Sequence, residues 1–173
     1  MVDFMKLLVI VNCQNDYISG SLGFPSAEEI IDRIVSIIDS YDDIIFLLDA
    51  RNSNYNNTFE GKVLKVEHCI KNTEGFELHE KLKPYTSKAL KIIEKETIPS
   101  IELAEFLKEH DEYDTVDVCG IASHMSVCAN AIMIKSVLPN TLITVIKKCS
   151  ATFDKALEAK AYNILNAMQI EVK

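Results

Sequence analysis

The sequence predicts a doubly wound α/β fold: a mainly parallel sheet of five or six strands with helices on both faces, formed as a single domain over residues 1–173. Three observations predict it. Short apolar runs rich in β-branched residues alternate with longer amphipathic stretches, the pattern of repeated βαβ units. Most of the apolar runs lack polar alternation, as strands covered on both faces require. The chain has 173 residues, a one-domain length, and 48% of them are hydrophobic, which is enough to bury a sizeable core.

In chain order, strands are expected at residues 6–12, 44–49, 90–95, 115–121 and 142–146, with a short last one at 170–172. The first helix is expected at 26–40. Ser26 and Glu29 stand there as a capping box, and Ile30, Ile31, Ile34, Ile37 and Ile38 follow at helical spacing. Further helices are expected at 100–110, 125–138 and 153–168. Residues 51–84 are different, a long connection with weak periodicity, and connections of that length usually carry function.

Composition excludes several function classes. Lys and Arg total 18 against 26 Asp and Glu, and the resulting charge of -8 argues against nucleic acid or an anionic membrane as a partner. The chain opens without the basic start, apolar core and small-residue cleavage site of a signal peptide. No apolar run approaches the ~20 residues of a membrane span. Cys13, Cys69, Cys119, Cys128 and Cys149 are odd in number and scattered, without CxxC pairs or zinc spacing, which suits a reducing cytoplasm.

Ligands of open α/β sheets bind beyond the carboxyl ends of the strands. Those positions here are Asn12, Asp49, Lys95 and the segment 122–126. The run LVIVNCQNDY from Leu8 to Tyr17, followed by Ser19, Gly20, Ser21 and Leu22, resembles the first strand of the isochorismatase-like cysteine hydrolases, the nicotinamidase group and its relatives. Asp49-Ala-Arg51, Glu60-Gly61, Glu67-His-Cys-Ile70 with Thr73-Glu-Gly75, Lys95-Glu-Thr97 with Ser100, and Gly120 to Val127 (GIASHMSV) with Asn130-Ala131 are similar to the family's other blocks, in the same order. The resemblance runs from about residue 6 to 172.

It implies the isochorismatase-like fold and an amidase mechanism. A Cys thiolate at a helix start attacks a carbonyl carbon, an Asp takes the proton and a Lys holds the charge. An oxyanion hole is set by a cis peptide in the block matching Ala122-Ser123. In this chain the three catalytic positions read Asn12, Ser126 and Lys95: Asn replaces the Asp, Ser replaces the nucleophilic Cys, and only the Lys is retained. Asn has no basic oxygen, and Ser is a poor nucleophile without a base. The family's metal set, Asp-x-His with a later His, reads Asp49, Arg51 and His68. A guanidinium is permanently protonated and ligates no metal, so Asp49 and His68 are remnants and no cofactor is implied. Ala50 stands where a Trp commonly walls the pyridine pocket.

Three functions follow. One is a non-catalytic relative that binds a small carboxylate or phosphate at Lys95 and Arg51, with Tyr17, Ala122 and Ser123 also lining the pocket. A second is an active hydrolase of a small amide C–N bond or an ester, in which Lys95, lacking an anionic partner at position 12, serves as base to Ser126. The third is a structural or interaction role as a homo-oligomer, with Met125, Ile132, Met133 and Val137 as the contact face. Among the remaining residues, Asp16 braces the first loop and His124 shapes the loop after the fourth strand. Cys128 is a buried apolar residue, Cys13 points opposite to Asn12, and His79 and His110 face solvent on helices.

Overall fold

The computed structural model describes residues 4–173. The opening residues 1–3, part of the reading against a signal peptide, lie outside them. Six strands form one parallel sheet: β1 (Lys6–Val11), β2 (Asp43–Asp49), β3 (Lys91–Lys95), β4 (Thr115–Ile121), β5 (Leu142–Ala151) and β6 (Glu171–Val172), in the order β3-β2-β1-β4-β5-β6. The chain winds outward from β1 to β3, then returns to build the other half from β4. The strand order therefore reverses between β1 and β4, which opens a crevice at their carboxyl ends.

The helices are α1 (Asn15–Ile18), α2 (Pro25–Ile38), α3 (Phe59–Leu64), α4 (Ile101–Glu109), α5 (Cys128–Val137) and α6 (Lys155–Ala167). Alternation along β1 sends Leu8 and Ile10 to one face and Leu7, Val9 and Val11 to the other, so the sheet carries two cores. On the first face, Ile30, Ile31, Ile34 and Ile38 of α2 pack against Leu8, Ile10 and Phe46. On the second, α4, α5 and α6 bring Leu107, Ile134 and Leu165 onto Val9 and Val118. Each such fully buried side chain contributes roughly 1.5–3 kcal/mol.

Four expectations are corrected. The helix expected at 26–40 starts at Pro25, with Phe24 at its N-cap and no side-chain cap bond. Proline presets the first-turn φ and needs no hydrogen-bond acceptor, so it takes the opening position and draws Ser26 inside the first turn, away from capping. β5 runs five residues beyond 146, through exposed Lys147 and Lys148, to Ala151. Helix 125–138 is in fact a π-turn, Ser123–Val127, continuing into α5. His79 is buried outside any helix, with Nε2 3.4 Å from Glu28.

The long connection after β2 folds over the carboxyl end of the sheet. Arg51 N–H donates to the Cys69 carbonyl at 2.9 Å, and Lys71 N–H donates to the Arg51 carbonyl at 2.8 Å. Asp16, expected to brace the first loop, accepts from Ser21 N–H there at 3.3 Å and also ties down the long connection, accepting from Cys69 N–H at 2.7 Å. α3 begins with Thr58, whose hydroxyl accepts from Gly61 N–H at 3.0 Å. Gly120 lets β4 close on β1 beside the crevice. Its φ is +119°, and a Cβ there would lie 2.0 Å from the Val11 carbonyl oxygen.

Candidate functional site

β1 ends at Val11, and Asn12 then takes a left-handed φ of 53°, a conformation Asn tolerates better than most residues. That turn breaks the strand alternation. Cys13 joins the core of the α2 face, beside Ile10, rather than the face opposite it. The buried Asn12 side chain reaches across the crevice, and its Nδ2 donates to Asp49 Oδ2 and to Ser126 Oγ, each at 3.2 Å. Asp49 and Lys95 end β2 and β3 and are direct register partners, so their side chains meet, and Lys95 Nζ donates to Asp49 Oδ1. Lys95 also donates to the Thr97 carbonyl at 3.2 Å.

Asp49 is the hub. Besides Lys95 and Asn12, it accepts from the Tyr17 hydroxyl at 2.5 Å and lies 3.6 Å from Arg51 Nη2. Its backbone is held at both ends by Gln14, at 2.8 Å each. Burial, then the charge of Asp49, push the Tyr17 phenol well above its usual pKa, so Tyr17 is a fixed donor. Arg51 in turn pairs with Glu60 at 3.0 Å and donates to the Glu96 carbonyl. Two carboxylates, Asp49 and Glu60, thus meet two cations, Lys95 and Arg51. Both cations expected to bind an anionic ligand are therefore already held in ion pairs.

This pattern fixes the polarity at Ser126. A carboxylate only accepts hydrogen bonds, so Asn12 must turn its Nδ2 toward Asp49, and the same Nδ2 faces Ser126. Ser126 Oγ receives a donor where a nucleophile needs an acceptor. Asn12 Oδ1 is left buried without a partner among the described residues. Ser126 itself is held by the buried Asn130, whose Nδ2 donates to its carbonyl at 2.7 Å and whose Oδ1 accepts from Ser100 N–H at 2.9 Å.

Beside Ser126 lies a cavity of about 120 Å³. Leu22, Leu64, Ile121 and Met125 line it together with the aromatic rings of Tyr17, Phe24 and Phe153, and its polar residues are Glu60, His68 and Ser126. Ala122 lines it as expected. Ser123 does not, since its hydroxyl turns toward α6 and donates to Glu158 at 2.7 Å. Arg51 and Lys95 lie outside its lining. The cis peptide is the Ile121–Ala122 bond, one position before the Ala122-Ser123 block. His124, expected to shape the loop, has its Nδ1 2.6 Å from the Thr152 hydroxyl, and burial lowers its pKa.

The fold and the order of blocks agree with one family. The isochorismatase-domain model matches residues 6–172. The chain belongs to the isochorismatase-domain family. Solved structures similar to this isochorismatase-domain chain include an Acinetobacter baumanii nicotinamidase, at 21% identity over 98% of this chain and 96% of that one, TM-score 0.83. A Bacillus subtilis nicotinamidase is similar at 23% identity, over 98% and 99%, TM-score 0.82. A Pyrococcus horikoshii pyrazinamidase, solved in complex with zinc, is similar at 22% identity, over 97% and 98%, TM-score 0.79. At such identities the likeness carries the fold. No curated protein matches the chain in sequence.

The zinc of that relative has no matching donor set here. Both Asp49 oxygens are engaged, Arg51 is a cation, and no three His, Cys, Asp or Glu side chains converge to hold a metal among the described residues. Sequence reasoning missed Glu60 as the partner of Arg51, and Gln14 and Asn130 as braces. The Asp49–Lys95 pair follows from the β2–β3 register, which only the structure gives.

Proposed function

We propose that this isochorismatase-domain chain binds a small molecule in the cavity beside Ser126 and has lost the family's hydrolytic chemistry. One observation carries the reading: Asn12 offers Ser126 a hydrogen-bond donor and no base. A positioned base contributes typically 10²–10⁴-fold to catalysis, and hydroxyl nucleophiles depend on one. Lys95 as the alternative base is opposed by its buried pair with Asp49, where the ammonium donates and holds no lone pair toward Ser126.

The same pairing bears on ligand charge. A carboxylate or phosphate at Lys95 and Arg51 would have to displace Asp49 or Glu60, whereas an uncharged ligand enters the cavity without breaking an ion pair. An interaction role draws less support, because Met125 lines the cavity and Ile132 and Val137 pack against the core. Five cysteines, all buried and free, fit a reducing cytoplasm.

The test is turnover of a panel of small amides by the purified protein, beside Asn12→Asp plus Ser126→Cys. The native protein is expected to release no ammonia above background, and the double variant to gain turnover. Hydrolysis by the native protein that disappears in Lys95→Ala would replace this reading with a Ser-Lys hydrolase.

A further inference from the structure

Partway along its pairing with β4, β5 bulges. Val118 pairs with Val145 and Gly120 with Ser150, so two steps along β4 match five along β5, and three extra residues loop out between them. The bulge carries Lys147 and Lys148, both exposed, out of the ladder. It is fastened from several sides. The Ser150 hydroxyl donates to the Ile146 carbonyl at 2.9 Å, and Arg33 Nη1, from α2, donates to the Lys148 carbonyl at 3.1 Å. Lys147 N–H donates to the Lys173 carbonyl at 2.6 Å. A bulge held in this way aims side chains in a direction that a regular strand cannot.

Lys147 and Lys148 line a surface cavity of about 560 Å³, a size common among small-molecule sites. Arg33, Lys155 and Lys173 line it too. Its carboxylates are two, Glu29 and Glu158, so in a chain of net charge -8 the cavity gathers a local surplus of cations. Arg33 pairs with Glu29 at 3.2 Å, Lys155 with Glu158 at 3.0 Å, and Lys173 with Glu171. Lys147 and Lys148 have no carboxylate partner among the described residues, and Lys147 stands 5.7 Å from the centre of the Tyr162 ring. α2 also begins at this cavity, with Ser26 in its first turn and no side-chain cap, so the positive end of its dipole adds to the field. The cavity shares no lining residue with the one beside Ser126. We infer that the β5 bulge, α2 and the start of α6 form a second binding site, which takes a small phosphorylated molecule carrying at least two negative charges. Lys147 and Lys148 meet the phosphate, and Arg33 holds the bulge that presents them. The acidic remainder of the chain repels an extended polyanion, which limits the occupant to a small one.

Inorganic pyrophosphate is the probe, titrated by calorimetry into the native protein, into Lys147→Gln plus Lys148→Gln, and into Lys62→Gln plus Lys108→Gln. The last pair removes the same charge from positions that do not line the cavity. All four lysines are exposed, so both variants should keep the native thermal midpoint. The native protein is expected to bind pyrophosphate, more weakly as salt is added. Lys147→Gln plus Lys148→Gln should weaken binding about tenfold, the worth of one charge-assisted hydrogen bond, and the control pair less than about twofold. Equal weakening by the two pairs overturns the site and leaves only general charge attraction. Native protein that binds no pyrophosphate at millimolar concentration overturns it as well. A glutamate octapeptide that binds more tightly than pyrophosphate overturns the small-ligand class in favour of an acidic protein segment. None of these outcomes alters the reading of the cavity beside Ser126, whose lining is separate.

Discussion

The polar layer at the ends of β1, β2 and β3 and the cavity wall beside it occupy the same end of the sheet, yet their residues meet opposite demands. In the polar layer Asp49 serves Lys95, Tyr17, Asn12 and Arg51 at once, and Arg51 is closed off by Glu60. On the wall, Phe153 is 68% exposed, and Leu22, Leu64 and Met125 stand with it around the cavity. The charge at the strand ends is held in ion pairs and hydrogen bonds, whereas the wall is apolar around its cavity. Tyr17 and Glu60 stand in both sets, so the polar layer and the wall are joined at those two residues.

The sharpest break of that contrast is Asp49→Ala. It leaves Lys95 buried without its carboxylate, and removing one member of a buried pair costs about 3–5 kcal/mol. Urea unfolding should show the midpoint falling at constant slope. A loss below about 1 kcal/mol would mean the polar layer is not a coupled unit.

Alkali probes the same layer more gently. The Tyr17 phenol is held protonated in the folded state, chiefly by burial and then by Asp49. Its folded pKa is raised, so its contribution is complete below the ordinary tyrosine value of about 10 and is lost as pH rises above it, where the unfolded chain gives up the proton first. Each such group steepens the decline by up to about 1.4 kcal/mol per pH unit. Tyr41 and Tyr113, also raised by burial and by Asp117 and Asp43, set the background. Tyr17→Phe should flatten the decline of stability above pH ~10 relative to the native protein. An unchanged slope would detach Tyr17 from Asp49.

The smallest effect belongs to the wall. Phe153→Ala removes a largely exposed ring and should change stability by no more than about 0.5 kcal/mol while weakening binding in the cavity. A large stability loss would merge wall and polar layer into one structural unit.

The sheet was legible because β1 and β2 carry unbroken apolar runs. The end of β5 was not, since Lys147 and Lys148 interrupt the pattern at the point where Lys147 N–H bonds to the Lys173 carbonyl rather than to a neighbour in sequence. α1 and α3, of four and six residues, are too short to show a helical period. At the site, Asn12 and Ser126 were legible as replacements within a known pattern and Lys95 as its retained member; Asn12 bonds Ser126 directly, and Lys95 meets Asn12 through Asp49. The neutralisation of Lys95 and Arg51 was not, because it depends on Asp49 standing opposite Lys95 across two strands and on Glu60 folding back from α3. Ser123 was misread for a related reason: its orientation is set by Glu158 on α6, 35 residues away.

The left-handed backbone at Asn12 limits what can follow it. A buried position at φ 53° between two strand ends favours Asn, Asp or Gly, and Gly would lose the bonds to Asp49 and Ser126. Drift there is confined to exchange between an amide and an acid of the same shape. Ser126 offers a parallel oxygen-for-sulfur exchange. Positions 12 and 126 therefore each stand one near-isosteric exchange from the acid and thiol that the family resemblance implies.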